Sequence, residues 1–181
     1  MNWTFKDMFL TGACTIGQMD DYVEAWHRGA GQGQKLHDYL GLNEDEYREW
    51  LVGSDAVLEM RLLAQRVSRK FRIYQVDIDR PGAQRLAFRP PVMPDDGMPT
   101  VEGAYYSVLY EGELLCGEDW EPEKILERLF HIFNVEHPSD YKGRSMSVSD
   151  VVALQDEDGE KYYCCSTFSF MPVGFLNPPT A

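Results

Sequence analysis

The hydrophobic residues of this chain change their spacing near residue 70, and this change limits the folds that the chain can adopt. Before that point apolar residues recur every three or four positions, as on one face of a helix, for example at Leu36 and Leu40. At residues 71–78 side chains instead alternate between two faces, which is typical of a strand. The pattern predicts an α+β protein: a helical module at residues 1–70, followed at residues 71–181 by a small mixed, mainly antiparallel β domain with one packed helix.

The best-defined pattern of the helical module is a helix-turn-helix-like segment at residues 36–51. Gly41 marks the turn, and Asn43 followed by Glu46 has the form of a capping box. In a DNA-binding protein the second helix would enter the major groove, but four acidic residues against one basic residue would repel phosphate there. The positions expected to be exposed are Asn43, Glu44, Asp45, Glu46, Arg48 and Glu49. A nucleic-acid-binding regulator using residues 36–51 is therefore an alternative, and a packing or protein-contact module is favoured.

A third helix is predicted to begin at Ser54, which is a common type of N-terminal capping residue. Its apolar face is expected to comprise Val57, Leu58, Leu62, Leu63 and Val67. Its far end is expected to be basic, which is favourable at a helix C-terminus, through Arg61, Arg66, Arg69 and Lys70.

The β domain shows strand patterns on both sides of a long Pro-rich loop at residues 90–99. Strands are expected at residues 71–78, 86–88 and 104–115. A helix starting at Pro122 is predicted to bury a wide apolar stripe and to end near Asn134. Residues 156–159, which read Asp-Glu-Asp-Gly, then predict a hairpin turn.

The net charge of the chain bears on its partners. There are 30 Asp and Glu residues against 17 Lys and Arg, a formal charge of −13. Such a field repels polyanions, because affinity for phosphate depends on cationic side chains. We therefore expect a protein partner, regard nucleic acid as possible but disfavoured, and expect no membrane partner.

The remaining composition contains no signal for a metal or a cofactor. Four cysteines lack the spacing of a metal site or a disulfide framework, and reduced thiols are expected: Cys14, Cys116, Cys164 and Cys165. The N-terminal residues lack a basic segment followed by an apolar one, and no run of about 18 apolar residues occurs. These features predict a cytoplasmic protein.

The most unusual stretch is at residues 137–152, which read HPSDYKGRSMSVSDVV. It is predicted to end the preceding helix and to enter a strand at Ser145, on which Ser147 and Ser149 would share a face with Ser145. A Ser-His-Asp hydrolase at residues 145–150 is an alternative hypothesis, but no nucleophile elbow is present and we assign no catalytic residue. We expect instead a contact surface formed by His137, Arg144, Ser145, Ser147, Ser149 and Asp150.

The stretch at residues 137–152 resembles the signature of the YodL-like domain, and residues 5–16 and 36–41 look like segments of proteins that carry it. The resemblance implies a module of uncharacterised proteins carried by conjugative elements and prophages of gut Firmicutes. Such modules accompany anti-restriction and other counter-defence functions, which suits an acidic chain. The function expected is a non-enzymatic protein-interaction module in element maintenance or counter-defence.

Overall fold

A computed structural model of the chain describes residues 3–180. It divides into two compact units. The first comprises the described residues up to Ser68 together with Leu115–Trp120, and the second comprises Arg69–Leu114 and the described residues from Glu121 onward. The predicted α+β class, with helices first and a mainly antiparallel sheet with a packed helix second, is confirmed.

The first unit is helical. Its described helices are α1 (Phe5–Leu10), α2 (Met19–His27), α3 (Leu36–Leu40), α4 (Glu44–Val52) and α5 (Asp55–Leu63). They enclose a core of Phe5, Phe9, Met19, Leu40, Leu42, Leu58 and Leu62. None of the helices within residues 3–180 is long and apolar enough to cross a membrane.

The predicted helix-turn-helix-like segment forms α3 and α4. Gly41 ends α3 in a left-handed conformation (φ 75°), which glycine adopts without steric cost. The Asn43 side chain accepts a hydrogen bond from the Glu46 N–H at 2.9 Å, and the Glu46 carboxylate accepts one from the Asn43 N–H at 2.9 Å. The capping box predicted from the sequence is therefore present.

The prediction that Glu46 is exposed is wrong. Its side chain is fully buried and accepts hydrogen bonds from Lys6 Nζ at 2.7 Å and Gln65 Nε2 at 2.8 Å. Burial by itself raises the pKa of Glu46, but the hydrogen bonds from Lys6, the Asn43 N–H and Gln65 outweigh it, so the pKa is lowered. The Lys6–Glu46 pair connects α1 to α4.

The predicted basic end of the third helix is also wrong beyond Arg61. The helix α5 ends at Leu63, and Arg66, Arg69 and Lys70 belong to the first strand. The Arg66 guanidinium lies 5.1 Å from the centre of the Phe9 ring, a cation–π contact. Arg66, Arg69 and Lys70 therefore lie along a strand, whereas the sequence pattern predicts a cluster at a helix terminus.

The described strands are β1 (Arg66–Val76), β2 (Thr100–Glu102), β3 (Tyr106–Gly117), β4 (Val151–Asp156), β5 (Gly159–Cys165), β6 (Phe170–Pro172) and β7 (Gly174–Leu176). Five form a sheet in the order β3-β1-β4-β5-β6, in which β4 is antiparallel to β1 and β5, and β5 is antiparallel to β6. The strands β2 and β7 form a separate parallel pair. The predicted acidic hairpin turn connects β4 to β5.

The sheet buries side chains on both faces. Tyr74 pairs with Val151 and lies on the face whose core includes Tyr106 and Phe175. Phe71 is three positions from Tyr74 and therefore points to the opposite face, where its ring lies 5.9 Å from that of Phe133. This contact places the packed helix on that face.

The packed helix is α6 (Pro122–His131), which continues as a π-helical turn at Ile132–Glu136. It begins at Pro122, as predicted, and the helical run extends two residues beyond the predicted end at Asn134. Its buried residues include Ile125, Leu126 and Leu129. The apolar stripe predicted from the sequence is thus buried.

The connection between β1 and β2 contains no strand at residues 86–88, contrary to the prediction. These residues form a turn after a 3-10 helix at Ala83–Arg85, and residues 89–99 have no regular secondary structure beyond a bend. Phe88 has a positive φ of 61°, which is incompatible with a strand.

Candidate functional site

The unusual stretch forms an irregular connection between α6 and β4. The predicted strand from Ser145 begins only at Val151. A turn replaces its first part, because the Asp150 carboxylate accepts a hydrogen bond from the Ser147 N–H at 2.9 Å and the Asp150 N–H donates to the Ser147 carbonyl at 3.0 Å. The predicted common face of the three serines is therefore wrong: Ser145 is exposed, Ser147 is half-buried and Ser149 is buried. Side chains that alternate in sequence need not alternate in space when the backbone turns.

The centre of this connection is a buried arginine–aspartate pair. Arg144 Nη1 lies 2.9 Å from Asp150 Oδ2, and Arg144 Nη2 lies 2.5 Å from Asp150 Oδ1. Asp150 is fully buried, whereas the Arg144 side chain is 30% exposed. This two-point geometry matches the planar guanidinium to the planar carboxylate, so the pair fixes the orientation of both groups.

Two further side chains form hydrogen bonds with this pair of residues. Gln75 Nε2, from β1, donates to Asp150 Oδ2 at 3.1 Å and to the Arg144 carbonyl at 2.9 Å. The Tyr141 hydroxyl donates to the same carbonyl at 2.6 Å, and its ring lies 4.8 Å from that of Phe133. The connection is thereby attached both to the sheet and to the packed helix. We call Gln75, Tyr141, Arg144 and Asp150 the polar node.

Burial raises the pKa values of two residues of the node, Asp150 and Tyr141. Desolvation raises the pKa of Asp150 from its ordinary value of 3.8 to about 6, although hydrogen bonds and charge from Arg144, the Ser147 N–H and Gln75 act in the opposite direction. Desolvation likewise raises the pKa of Tyr141 to about 12. The tyrosine therefore remains a neutral hydrogen-bond donor at physiological pH.

Ser149 connects the node to the segment before β2. It has a positive φ of 81°, which is unfavourable for a residue with a side chain. Its Oγ accepts a hydrogen bond from the Phe88 N–H at 3.1 Å, and its carbonyl accepts one from the Tyr106 hydroxyl at 3.0 Å. Two non-glycine residues with positive φ, Ser149 and Phe88, are thus joined directly, and surrounding contacts hold both in place.

Arg144 also contacts the segment before β2, through the Phe88 ring. Its Cζ lies 4.8 Å from the centre of the Phe88 ring, a cation–π contact, while its guanidinium binds Asp150. Phe88 itself is 58% exposed. A buried carboxylate is in this way connected through Arg144 to an aromatic ring on the surface.

Phe88 begins an eleven-residue segment, residues 88–98, that we call the exposed loop. Beyond Phe88 it presents three large apolar side chains to solvent, of which Val92 is 87% exposed: Val92, Met93 and Met98. Its far end is held where the Gly174 N–H donates to the Pro99 carbonyl at 2.9 Å, next to the β2–β7 pair. Both ends of the exposed loop are therefore attached to the folded unit, and the large apolar side chains between them are exposed.

The structure does not bring all six predicted contact residues together. Arg144, Ser147, Ser149 and Asp150 belong to the hydrogen-bonded connection around the node. Ser145 is exposed, and its carbonyl accepts a hydrogen bond from Arg144 Nη1 at 3.0 Å. His137 is exposed at the end of the π-helical turn, where its N–H donates to the Ile132 carbonyl.

The hydrogen bonds of Asp150 and Ser149 differ from those of a Ser-His-Asp site. In such a site the aspartate accepts a hydrogen bond from the histidine. Here the Asp150 oxygens accept from Arg144, Ser147 and Gln75, and Ser149 Oγ accepts from the Phe88 N–H. Asp150 and Ser149 are thus engaged in holding the backbone.

The cysteine chemistry is unfavourable for nucleophilic attack as well. Burial raises the pKa of Cys164 to about 12 and that of Cys165 and Cys14 to about 11. The reactive species is the thiolate, which these environments disfavour. Within residues 3–180, no three His, Cys, Asp or Glu side chains are grouped as a metal ion would require.

Several residues of the site were not predicted from the sequence. The sequence predicts strand positions for Gln75 and Phe88 and assigns no functional role to these residues or to Tyr141. An unusual glutamine at a core-facing strand position was the available signal, since buried polar side chains need partners.

Comparisons with known proteins add one finding. Residues 70–175 match the family model of the YodL-like domain. No curated protein and no solved structure matched the chain. The matched residues include the whole polar node and the exposed loop.

Proposed function

We propose that this chain, which belongs to the YodL-like domain family, is a non-enzymatic protein-interaction module that binds its partner through the exposed loop. The observation that carries the proposal is the double attachment of Phe88, by its N–H to Ser149 and by its ring to Arg144. Polar groups of residues 137–152 thus position the exposed loop, which is an apolar surface segment.

The amino-acid content of the exposed loop supports protein binding. Large apolar side chains on a surface favour contact with another protein, since their burial releases water. Pro90, Pro91 and Pro94 restrict the backbone of the loop and reduce the conformational entropy lost on binding. Asp95 and Asp96 outnumber Arg89, so the loop has a formal charge of −1, which favours a partner with a basic surface.

The six residues predicted as a contact surface take two roles in this proposal. Arg144, which contacts Phe88, is proposed to extend the contact surface of the exposed loop, and Ser145 and His137 are exposed and available to a partner. Ser147, Ser149 and Asp150 lie behind them and hold the backbone. A partner would therefore meet apolar side chains first and Arg144 at the edge.

We further propose that the interaction serves the maintenance or counter-defence of a mobile element. This part of the proposal is supported by the resemblance of residues 137–152 to proteins of conjugative elements and prophages, and by the acidic charge of −13. It is tested by removing the gene from its element and measuring element retention and survival of host restriction.

Protein capture from a host lysate at physiological salt tests the binding proposal. The chain is compared with a loop variant carrying Val92→Ser, Met93→Ser and Met98→Ser, and with the control Phe168→Ser, which changes a side chain that is 97% exposed elsewhere in the same unit. We expect proteins that are retained by the wild type and the control but lost from the loop variant. Identical capture by all three proteins, or no capture by any, would refute the proposal.

A further inference from the structure

A second apolar surface lies in the helical unit. Five large apolar side chains within thirteen residues are exposed, including Val52 at 82% and Met60 at 73%. We call this set the α4–α5 stripe: Leu51, Val52, Val57, Met60 and Leu63. Single exposed apolar residues are ordinary, but several close together mark an interaction site.

The geometry of α5 makes the stripe continuous. Leu58 and Leu62 are buried in the core of the unit. Val57, Met60 and Leu63 are spaced three residues apart, so at 100° per residue they form a second apolar face about 9 Å long. The helix therefore has one face for its own core and another whose side chains are 43–73% exposed.

The end of α4 extends this face. A Cβ placed on Gly53 would lie 3.7 Å from the Val57 Cβ, so the chain directly after Val52 runs close to the stripe of α5. Arg61 Nη1 binds Glu49 Oε2 at 2.6 Å, and Trp50 Nε1 donates to Asp55 Oδ1 at 3.1 Å. These bonds between the two helices fix the surface before any partner binds.

The negative charge around the stripe favours a basic partner. Residues 44–63 contain six acidic side chains, but Glu46 is buried and paired with Lys6, so five acidic and two basic side chains remain, a formal charge of −3. Both arginines are already paired, Arg48 with Asp45 and Arg61 with Glu49. A second copy of this chain would bring the same negative charge to the contact and would be repelled.

We propose that the α4–α5 stripe binds a basic amphipathic helix of another protein. Its apolar residues would cover Val52, Val57 and Met60, and its lysines or arginines would face the acidic side chains Asp55 and Glu59. This use of an apolar helix surface bordered by charge follows the known mode in which a helix docks by residues at three- and four-residue spacing. It concerns the first unit and goes beyond binding by the exposed loop of the second.

Fluorescence anisotropy with a model peptide tests the proposal. The probe is an 18-residue labelled peptide of leucine and lysine arranged as an amphipathic helix, and its control is a peptide of the same composition in shuffled order. We expect the ordered peptide to bind the full chain at physiological salt, and the variant Met60→Ser with Leu63→Ser to bind it at least tenfold more weakly. The change is neutral in charge, so a loss reports the apolar contact alone.

Matched variants separate the stripe from general attraction to an acidic protein. Phe168→Ser removes an exposed apolar side chain in the other unit, outside the exposed loop, and is expected to leave peptide affinity unchanged. Glu59→Gln is expected to weaken binding and to reduce its dependence on salt. Equal affinity of the wild type and the Met60→Ser, Leu63→Ser variant for the ordered peptide would overturn the proposal. So would a self-association of the wild type, measured by sedimentation, that this variant abolishes.

Discussion

Replacing the buried aspartate by asparagine should change the pH dependence of stability in a direction fixed by the structure. Between pH 3.8 and about 6 the native protein still holds a proton on Asp150, whereas the unfolded chain has already released it. A native state that binds more protons loses stability as pH rises. The stability contribution of Asp150 is therefore fully present below pH 3.8 and declines through pH 6.

The magnitude follows from the two pKa values of 3.8 and about 6. At 1.36 kcal/mol for each tenfold change in proton affinity, the contribution of Asp150 falls by about 3 kcal/mol across this window. Asp150→Asn keeps the shape and an oxygen acceptor for the Ser147 N–H but cannot titrate. Arg144 is 30% exposed and keeps water as a partner in the variant. All other titrating groups are common to both proteins.

Urea unfolding followed by circular dichroism at pH 4, 5, 6 and 7.5 measures the effect. We expect the unfolding free energy of the wild type minus that of the variant to decrease by about 2.4 kcal/mol from pH 4 to pH 7.5, because at pH 4 the unfolded carboxyl is already partly ionised. The control Asp156→Asn should show the opposite sign, since the hydrogen bond from Lys161 lowers the pKa of this exposed carboxyl. If this difference in unfolding free energy stayed constant or increased with pH for Asp150→Asn, the effect of Arg144 on the pKa of Asp150 would outweigh that of burial. The prediction would then be wrong.

Three further predictions concern buried groups. Ser149→Ala and Ser149→Gly both lose the hydroxyl, but glycine adopts the positive φ without strain. Thermal unfolding should therefore find the glycine variant about 1 kcal/mol more stable than the alanine variant. The reverse order would contradict a strained backbone. Lys6→Met should cost about 3 to 5 kcal/mol at pH 7 because Glu46 is left buried and unpaired. Since the pKa of Glu46 is lowered in the native protein, the pair stabilises above the unfolded pKa, and this cost should shrink on acidification in urea titrations. Cys164 and Cys165 should react with a thiol reagent at pH 8 roughly 100-fold more slowly in the native than in the urea-unfolded protein, and equal rates would contradict their burial.

The sequence predicted those parts of the fold that depend on local signals. The capping box of Asn43 and Glu46, the glycine at the end of α3 and the proline at the start of α6 each act within a few residues. Such signals identify where helices begin and end. The change of hydrophobic spacing near residue 70 was sufficient for the α+β class.

The candidate site was less predictable because its contacts join distant parts of the chain. Gln75 and Asp150 are 75 positions apart, and Lys6 and Glu46 are 40 apart. Nothing in local spacing distinguishes an exposed acidic residue from one that meets a partner at such separation, which is why Glu46 was predicted to be exposed. The alternating serines were misleading for a related reason: the same spacing occurs in a strand and in a turn closed by Asp150.

Because the exposed loop is attached at both ends, changes within it are expected to disturb the second unit less than changes in the sheet. Ser149 holds the Phe88 N–H and Gly174 holds the Pro99 carbonyl, so residues between these points can change without altering the sheet. Doubling the length of a flexible loop with fixed ends costs only about 0.6 kcal/mol of closure entropy. Members of the family are therefore expected to diverge in length and sequence at this position, while the residues that correspond to Arg144 and Asp150 stay constant. One scaffold would thereby present different loops to different partners.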